Sequence, residues 1–135
     1  MKTAAARSLV GLLRDRAADG DGTAAYCFLP DGLEVADTLT HAELDRRARA
    51  GAACLQPHVA PGDRVLLAYP PGLEFLAGFF AALYAGAVPV PAYPPRGQGA
   101  DLRLRAIAAD ARPSAALSTA DVVARVGGRL DTGDA

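Results

Sequence analysis

The stretch Leu83–Arg96, LYAGAVPVPAYPPR, constrains this chain more than any other. It closes a continuous apolar run: from Gly72 to Ala85 the sole charged residue is Glu74. A helix apolar on every side must be buried on every side. Leu73–Ala85 is therefore predicted to be a core helix, with Phe75, Phe79, Phe80 and Leu83 largely buried in the complete fold. Gly86 stops it, and Val88–Ala92 (VPVPA) reads as a short strand. Pro89 and Pro91 share parity, so their missing N–H groups fall on the same side of that strand. Such a strand donates on one side only and belongs at a sheet edge or in an interrupted ladder. Tyr93-Pro94-Pro95 then ends it, because paired prolines stop pairing and favour an extended loop.

The elements around this stretch follow from periodicity and punctuation. Ser8–Ala18 reads as an amphipathic helix with Leu9, Leu13 and Ala17 on one face, closed by Asp19-Gly20-Asp21-Gly22. Ala24–Leu29 is a predicted strand, Pro30-Asp31-Gly32 a turn, and Leu33–Thr38 the antiparallel return. Thr40 and Glu43 have the spacing of a capping box for a helix over His41–Gln56. That helix puts Leu44, Ala48, Ala52 and Leu55 on one face, with Arg46, Arg47 and Arg49 off it. Gly51 beside the buried face predicts another backbone passing close by. After the turn Pro61-Gly62-Asp63, the apolar run Arg64–Ala68 reads as a strand covered on both faces. Beyond the central stretch, Leu102–Ala111 is a helix with Leu104, Ile107, Ala108 and Ala111 inward. Ser114–Ser118 is a strand and Ala120–Val126 a last helix. From Arg64 onward the order is βαβαβα, which packs as a parallel sheet with right-handed crossovers.

Composition narrows the function. At 135 residues there is room for one domain with a real core, and 51% hydrophobic residues exclude a disordered tail. Fourteen basic and fifteen acidic residues give a net charge of −1, which attracts neither nucleic acid nor anionic membrane. The N-terminal apolar run carries an arginine and reads as no secretory signal. Phe75–Val90 is too short and too broken to span a bilayer. Cys27 and Cys54 have no CxxC spacing and read as free thiols, small buried hydrophobes in a reducing, cytoplasmic compartment.

Few residues carry chemistry. Tyr93–Arg96 and Tyr69-Pro70-Pro71-Gly72 follow parallel strands, the end of an α/β sheet where ligands bind. They hold no acid, base or nucleophile suited to neutral pH, so a rigid corner is the plainer reading. Gly97-Gln98-Gly99 lies between a strand and a helix but lacks the third glycine of a dinucleotide fingerprint, Leu102 standing in its place. His41 and His58 accompany no nucleophile elbow and no metal-ligand spacing. Arg46, Arg47 and Arg49, diluted by Glu43 and Asp45, read as a solvated face.

The chain resembles the N-terminal portion of fatty acyl-AMP ligases, in the acyl-adenylate-forming superfamily. The resemblance runs over Leu39–Ala50 (LTHAELDRRARA), Pro61–Arg96 and Leu104–Thr119 (LRAIAADARPSAALST). The first two core motifs of the superfamily correspond to Leu39–Leu44 and Leu83–Pro91, and VPVPAYPPR carries the acyl-AMP ligase branch. His41 stands where the family pattern has an aromatic residue. The implied fold class is α/β: a partial parallel βαβαβα sheet layered with helices, preceded by an N-terminal helix and a β-hairpin. Residues 1–135 are then a single incomplete domain, with 1–60 as helix, hairpin and helix and 61–128 as the βαβαβα core.

The family activates a fatty acid with ATP and Mg to acyl-AMP, for transfer to an acyl carrier protein in lipid, polyketide or lipopeptide biosynthesis. That chemistry implies a phosphate loop, an acidic residue for the ribose and a catalytic lysine. The chain has none of these; its only lysine is Lys2. The resemblance therefore implies no catalytic, cofactor-binding or metal-binding residue here, and the remainder of the ligase as partner, in cis or in trans. The implied full-length partners are the fatty acid and the carrier protein, not nucleic acid or membrane. A parallel core cut after its third strand is expected to self-associate, with Arg64–Ala68 and Ser114–Ser118 as unprotected edges. Two alternatives stand: a free-standing, non-catalytic interaction module, and a small nucleotide-binding protein using Gly97–Gly99.

Overall fold

The computed structural model describes residues 8–95 and 102–126. The chain opens with helix α1 (Leu9–Ala18), whose Ser8 side chain accepts from the amide of Gly11. A hairpin of β1 (Ala24–Phe28) and β2 (Asp37–Thr40) follows, then helix α2 (His41–Leu55) and a short 3-10 turn over Gln56–His58. Strand β3 (Arg64–Leu67), helix α3 (Leu73–Tyr84) and strand β4 (Val88–Pro91) come next. Helix α4 (Leu102–Ala111), strand β5 (Ala115–Leu117) and helix α5 (Ala120–Val126) complete the described chain. This is the α/β architecture expected, with a parallel sheet in the order β4-β3-β5 and a separate antiparallel hairpin.

The hairpin departs from expectation in its second strand. The return runs over Asp37–Thr40, not Leu33–Thr38. The Asp31 carboxylate accepts from the amides of Leu33 and Glu34 at 2.9 and 3.0 Å, which draws those residues into the turn. Gly32 supplies the positive φ that this turn needs. Leu33 is left 82% exposed. Pairing begins once Ala36 donates to Phe28 at 2.8 Å, and the register sets Cys27 opposite Thr38.

The capping box forms as read: Thr40 and Glu43 exchange side-chain and backbone bonds at 2.9 and 3.1 Å. Leu44, Ala48, Ala52 and Leu55 are all buried, and α2 packs chiefly on α3. Gly51 lies at the closest approach, where an added Cβ would stand 2.6 Å from the Cβ of Ala81. Two cores meet at this helix pair. Leu13, Leu39, Leu44, Ala48, Leu73 and Phe80 join α1 and the hairpin to α2 and α3. Leu55, Val65, Leu67, Ala81, Ala82 and Ala87 join the same helices to the sheet. Each of the fully buried leucines contributes on the order of 2 kcal/mol.

The described residues enclose helix α3 only in part. Phe80 is buried at 8% exposure, whereas Phe75, Phe79 and Leu83 are only partly buried. Residues 75, 79 and 83 recur at four-residue spacing and form one stripe; Phe75 and Phe79 border the sheet-side core and Phe79 and Leu83 the other, each without full cover. The cysteines also depart from expectation. Both are free, but both are exposed. Cys27 takes the outward parity of β1 between partly buried Tyr26 and Phe28, and Cys54 lies off the buried face of α2.

Strand β3 is the middle of its sheet, paired with β4 and β5 on its two sides, so Arg64–Ala68 is not an exposed edge as expected. Strand β4 is an edge, as its prolines require. At the base of the sheet the Asp63 carboxylate accepts from the Ala60 amide and the Ser114 hydroxyl, both at 2.9 Å. The Arg64 guanidinium donates to the Ala111 carbonyl at 2.8 Å, closing the end of α4.

Candidate functional site

The step from β3 to β4 runs one way across the sheet, and the step from β4 to β5 runs back past β3. With right-handed crossovers, these opposite steps put α3 and α4 on opposite faces. Parity agrees: Val65 and Leu67 pack in the α2–α3 core, while Leu66 points the other way and is still 3% exposed. The connections leaving β3 and β4 therefore diverge, and the crevice between their C-terminal ends is a topological switch point.

Two proline corners border that crevice. Tyr69-Pro70-Pro71-Gly72 leads from β3 into α3, and Ala92–Pro95 leaves β4. The Tyr69 ring lies against Gly78, where an added Cβ would meet it at 2.6 Å, and stands edge-on to Phe75 with centroids 6.4 Å apart. Burial, with the Glu74 charge second, pushes the Tyr69 hydroxyl up from its ordinary value, so it is neutral at pH 7 and is no base. Tyr93 is 64% exposed. On the β5 side the Ser118 hydroxyl donates to the Ala68 carbonyl at 2.5 Å, and Thr119 caps α5 through the Val122 amide at 3.2 Å. These groups are spent on structure. Among the described residues the rim offers rigid apolar shape and no acid–base pair.

The other singled-out residues do not converge on this rim. His41 begins α2 and stands edge-on to Tyr26, centroids 6.2 Å apart. It borders a shallow groove of about 240 Å³ with Arg16, Asp21 and Thr40. There the Asp21 carboxylate is held below its ordinary value by the hydroxyl and amide of Thr23. His58 is exposed in the 3-10 turn, and Arg46, Arg47 and Arg49 are exposed on α2. Gly97-Gln98-Gly99 and Arg96 lie outside the described residues.

One polar network was not singled out in the sequence. The Tyr84 hydroxyl donates to Asp45 at 2.7 Å, and the Arg49 guanidinium donates to the other oxygen of the same carboxylate at 2.9 Å. Burial pushes the Tyr84 hydroxyl strongly up, and the Asp45 contact adds to it. Burial pushes Asp45 up as well, but its bonds to Tyr84 and Arg49 prevail and hold it below the usual carboxylate range. The network joins α2 to α3 and is structural.

Among the described residues no group of three or more His, Cys, Asp or Glu side chains is placed to hold a metal ion. The carboxylates of Asp31, Glu43, Asp45 and Asp63 all accept from the chain itself. These residues do not fit a nucleotide–magnesium site. No helix among them is long and apolar enough to cross a membrane.

An open parallel sheet with a switch point at its C-terminal rim is the layout of α/β folds that bind ligands at that rim. The sequence pattern of the AMP-binding enzyme family matches residues 13–132, and the chain belongs to that family. The relatives it matches include fatty-acid ligases. A medium-chain-fatty-acid–[acyl-carrier-protein] ligase of Moorena producens is 43% identical over 114 residues, covering 82% of this chain and 19% of the relative. A fatty acyl-adenylate ligase of Legionella pneumophila, solved with acyl adenylate and pyrophosphate, superposes with a TM-score of 0.80 at 39% identity. That match covers 87% of this chain and 21% of the other. The N-terminal domain of FACL13 from Mycobacterium tuberculosis matches with a TM-score of 0.70 at 28% identity, covering 93% and 30%. The chain spans about a fifth of the curated relatives it matches.

Proposed function

We propose that this chain is the N-terminal scaffold of a fatty acyl-AMP ligase. The whole enzyme activates a fatty acid with ATP and Mg to acyl-AMP and passes the acyl group to an acyl carrier protein, in lipid, polyketide or lipopeptide biosynthesis, in the cytoplasm. Residues 1–135 form a single incomplete domain, with 1–60 as helix, hairpin and helix and 61–128 as the βαβαβα core. No residue of this chain takes a catalytic, cofactor-binding or metal-binding role. Its part is to set the sheet on which the adenylation site is built, and its partner is the remainder of the ligase, in cis or in trans. Left alone, it self-associates.

The observation that carries this reading is the 39% identity, over 87% of this chain, to a ligase solved with acyl adenylate and pyrophosphate. Only the whole enzyme holds the groups that stabilise the transition state, which usually supply the largest rate term.

The test joins this chain to the rest of the Legionella pneumophila ligase in place of that enzyme's own N-terminal segment. The joined protein is expected to form acyl-adenylate from a fatty acid and ATP, and to load a phosphopantetheinylated carrier protein in preference to coenzyme A. A folded joined protein that forms no acyl-adenylate would count against the reading.

A further inference from the structure

Charge is unevenly placed along this chain. Residues 17–45 hold seven of its fifteen acidic residues and none of its fourteen basic ones. The turn between β1 and β2 carries Asp31 and Glu34, with Asp37 at its foot, and leaves Leu33 82% and Val35 56% exposed. Its shape is fixed by its own bonds: Gly32 donates to the Leu29 carbonyl at 3.0 Å, and the Asp31 carboxylate accepts from Leu33 and Glu34. Leu33 is therefore presented as an apolar knob with an acidic rim, at little further ordering cost. Glu34 and Asp37 form no ion pair among the described residues.

Helix α4 offers the opposite surface. It buries Leu104 and half-buries Ile107, Ala108 and Ala111. Its outward face carries Leu102, Ala106 and Ala109 at helical spacing, all exposed, with Leu102 at 77%. Arg105 borders this stripe on one side, is exposed, and forms no ion pair among the described residues. Arg103 and Asp110 stand on the other border. The two alanines leave a hollow that a leucine side chain can fill.

We infer that the β1–β2 turn of one copy seats on the outward face of α4 of a second copy, with Leu33 on Ala106 and Ala109 and Glu34 toward Arg105. The occupant is argued from complementarity: an apolar knob with an acidic rim meets an apolar stripe with an arginine border. Within one chain the two surfaces do not cover each other, since Leu33 and Leu102 both stay exposed. The surfaces are unlike, so a pair of copies still has one of each to spare, and association runs head to tail past the dimer. This deepens the self-association given under Proposed function and rests on it.

Sedimentation of residues 1–135 and of two variants tests the contact. One variant spoils the turn, Leu33→Ser with Val35→Ser; the other spoils the helix face, Leu102→Ser with Ala106→Glu. The unchanged chain is expected to grow past the dimer as concentration rises, and each variant to associate about tenfold more weakly. An equimolar mixture of the two variants is expected to stop at the dimer, because one intact turn meets one intact helix face and the other two surfaces are spoiled. Glu34→Arg should weaken association, and Arg105→Glu added in the same chain should restore it. Variants that assemble like the unchanged chain, a mixture that stays monomeric, or a charge swap that restores nothing would overturn the contact and leave self-association standing. An unchanged chain that is monomeric at every concentration would overturn both. Acyl-adenylate formation by the joined protein is read separately and bears on the scaffold reading alone.

Discussion

Gly51 illustrates how far a single residue can be read. A glycine beside a buried helix face announces a close approach, and the structure supplies the partner, Ala81, with 2.6 Å to an added Cβ. Alanine at this position gains about 1 kcal/mol of helix propensity but forces the two helices apart, at about 1–3 kcal/mol. Gly51→Ala is therefore expected to lower the urea midpoint, and an unchanged or raised midpoint would mean α2 and α3 are less tightly fitted. The Tyr84–Asp45 bond was not legible, because it links residues 39 apart in sequence and neither residue type signals the other. Tyr84→Phe is expected to cost about 1 kcal/mol, at the low end for a bond to a charged group because the site is partly exposed. The Tyr84 hydroxyl is raised in the folded state, so its contribution is full below about pH 10, the usual tyrosine value, and is lost as pH rises through the folded value. Asp45 is lowered, so its contribution is full above about pH 4, the usual carboxylate value, and is lost as pH falls through the folded value. Denaturation of both forms across pH should show the Tyr84→Phe difference on the plateau between these limits and its decline at either end. The exposed cysteines mark the opposite lesson: residue type alone favours burial, and strand parity and helix face decide.

Elements were more legible than their surroundings. Helices α2 and α3, the capping box and the three parallel strands follow from periodicity, capping chemistry and glycine or proline punctuation, all of them local signals. The hairpin return was misplaced because Asp31 captures two amides, a side-chain effect that the apolar pattern of Leu33 and Val35 conceals. Composition showed that α3 is apolar all round, but it could not show which arc the described residues cover. Phe80 is buried, and Phe80→Ala is expected to cost about 3–5 kcal/mol. Phe79, on the partly buried stripe with Phe75 and Leu83, is expected to cost clearly less in the isolated chain. Equal losses for the two variants by chemical denaturation would show that the stripe is as fully covered as Phe80 in the isolated chain.

At the scale of the whole molecule, the described part of the sheet's rim is shaped by two proline corners. The proline corners were legible as corners, and their place at a switch point was not, because strand order depends on contacts between segments far apart in sequence. Val88, Tyr93, Leu102 and Val123 are all exposed apolar side chains in the second half of the chain. Together with the open β5 edge, they lead us to expect self-association of the isolated chain. Sedimentation should show a mass that rises with concentration; a monomer at all concentrations would mean that the exposed surface is tolerated as it stands.

The central claim is that this chain scaffolds adenylation and does not perform it. ATP–pyrophosphate exchange dependent on added fatty acid tests this most directly. Residues 1–135 alone should match the blank without enzyme, and the same chain joined to the remainder of the Legionella pneumophila ligase should exchange well above it. Exchange by the isolated chain that is abolished by substitutions within it would contradict the account.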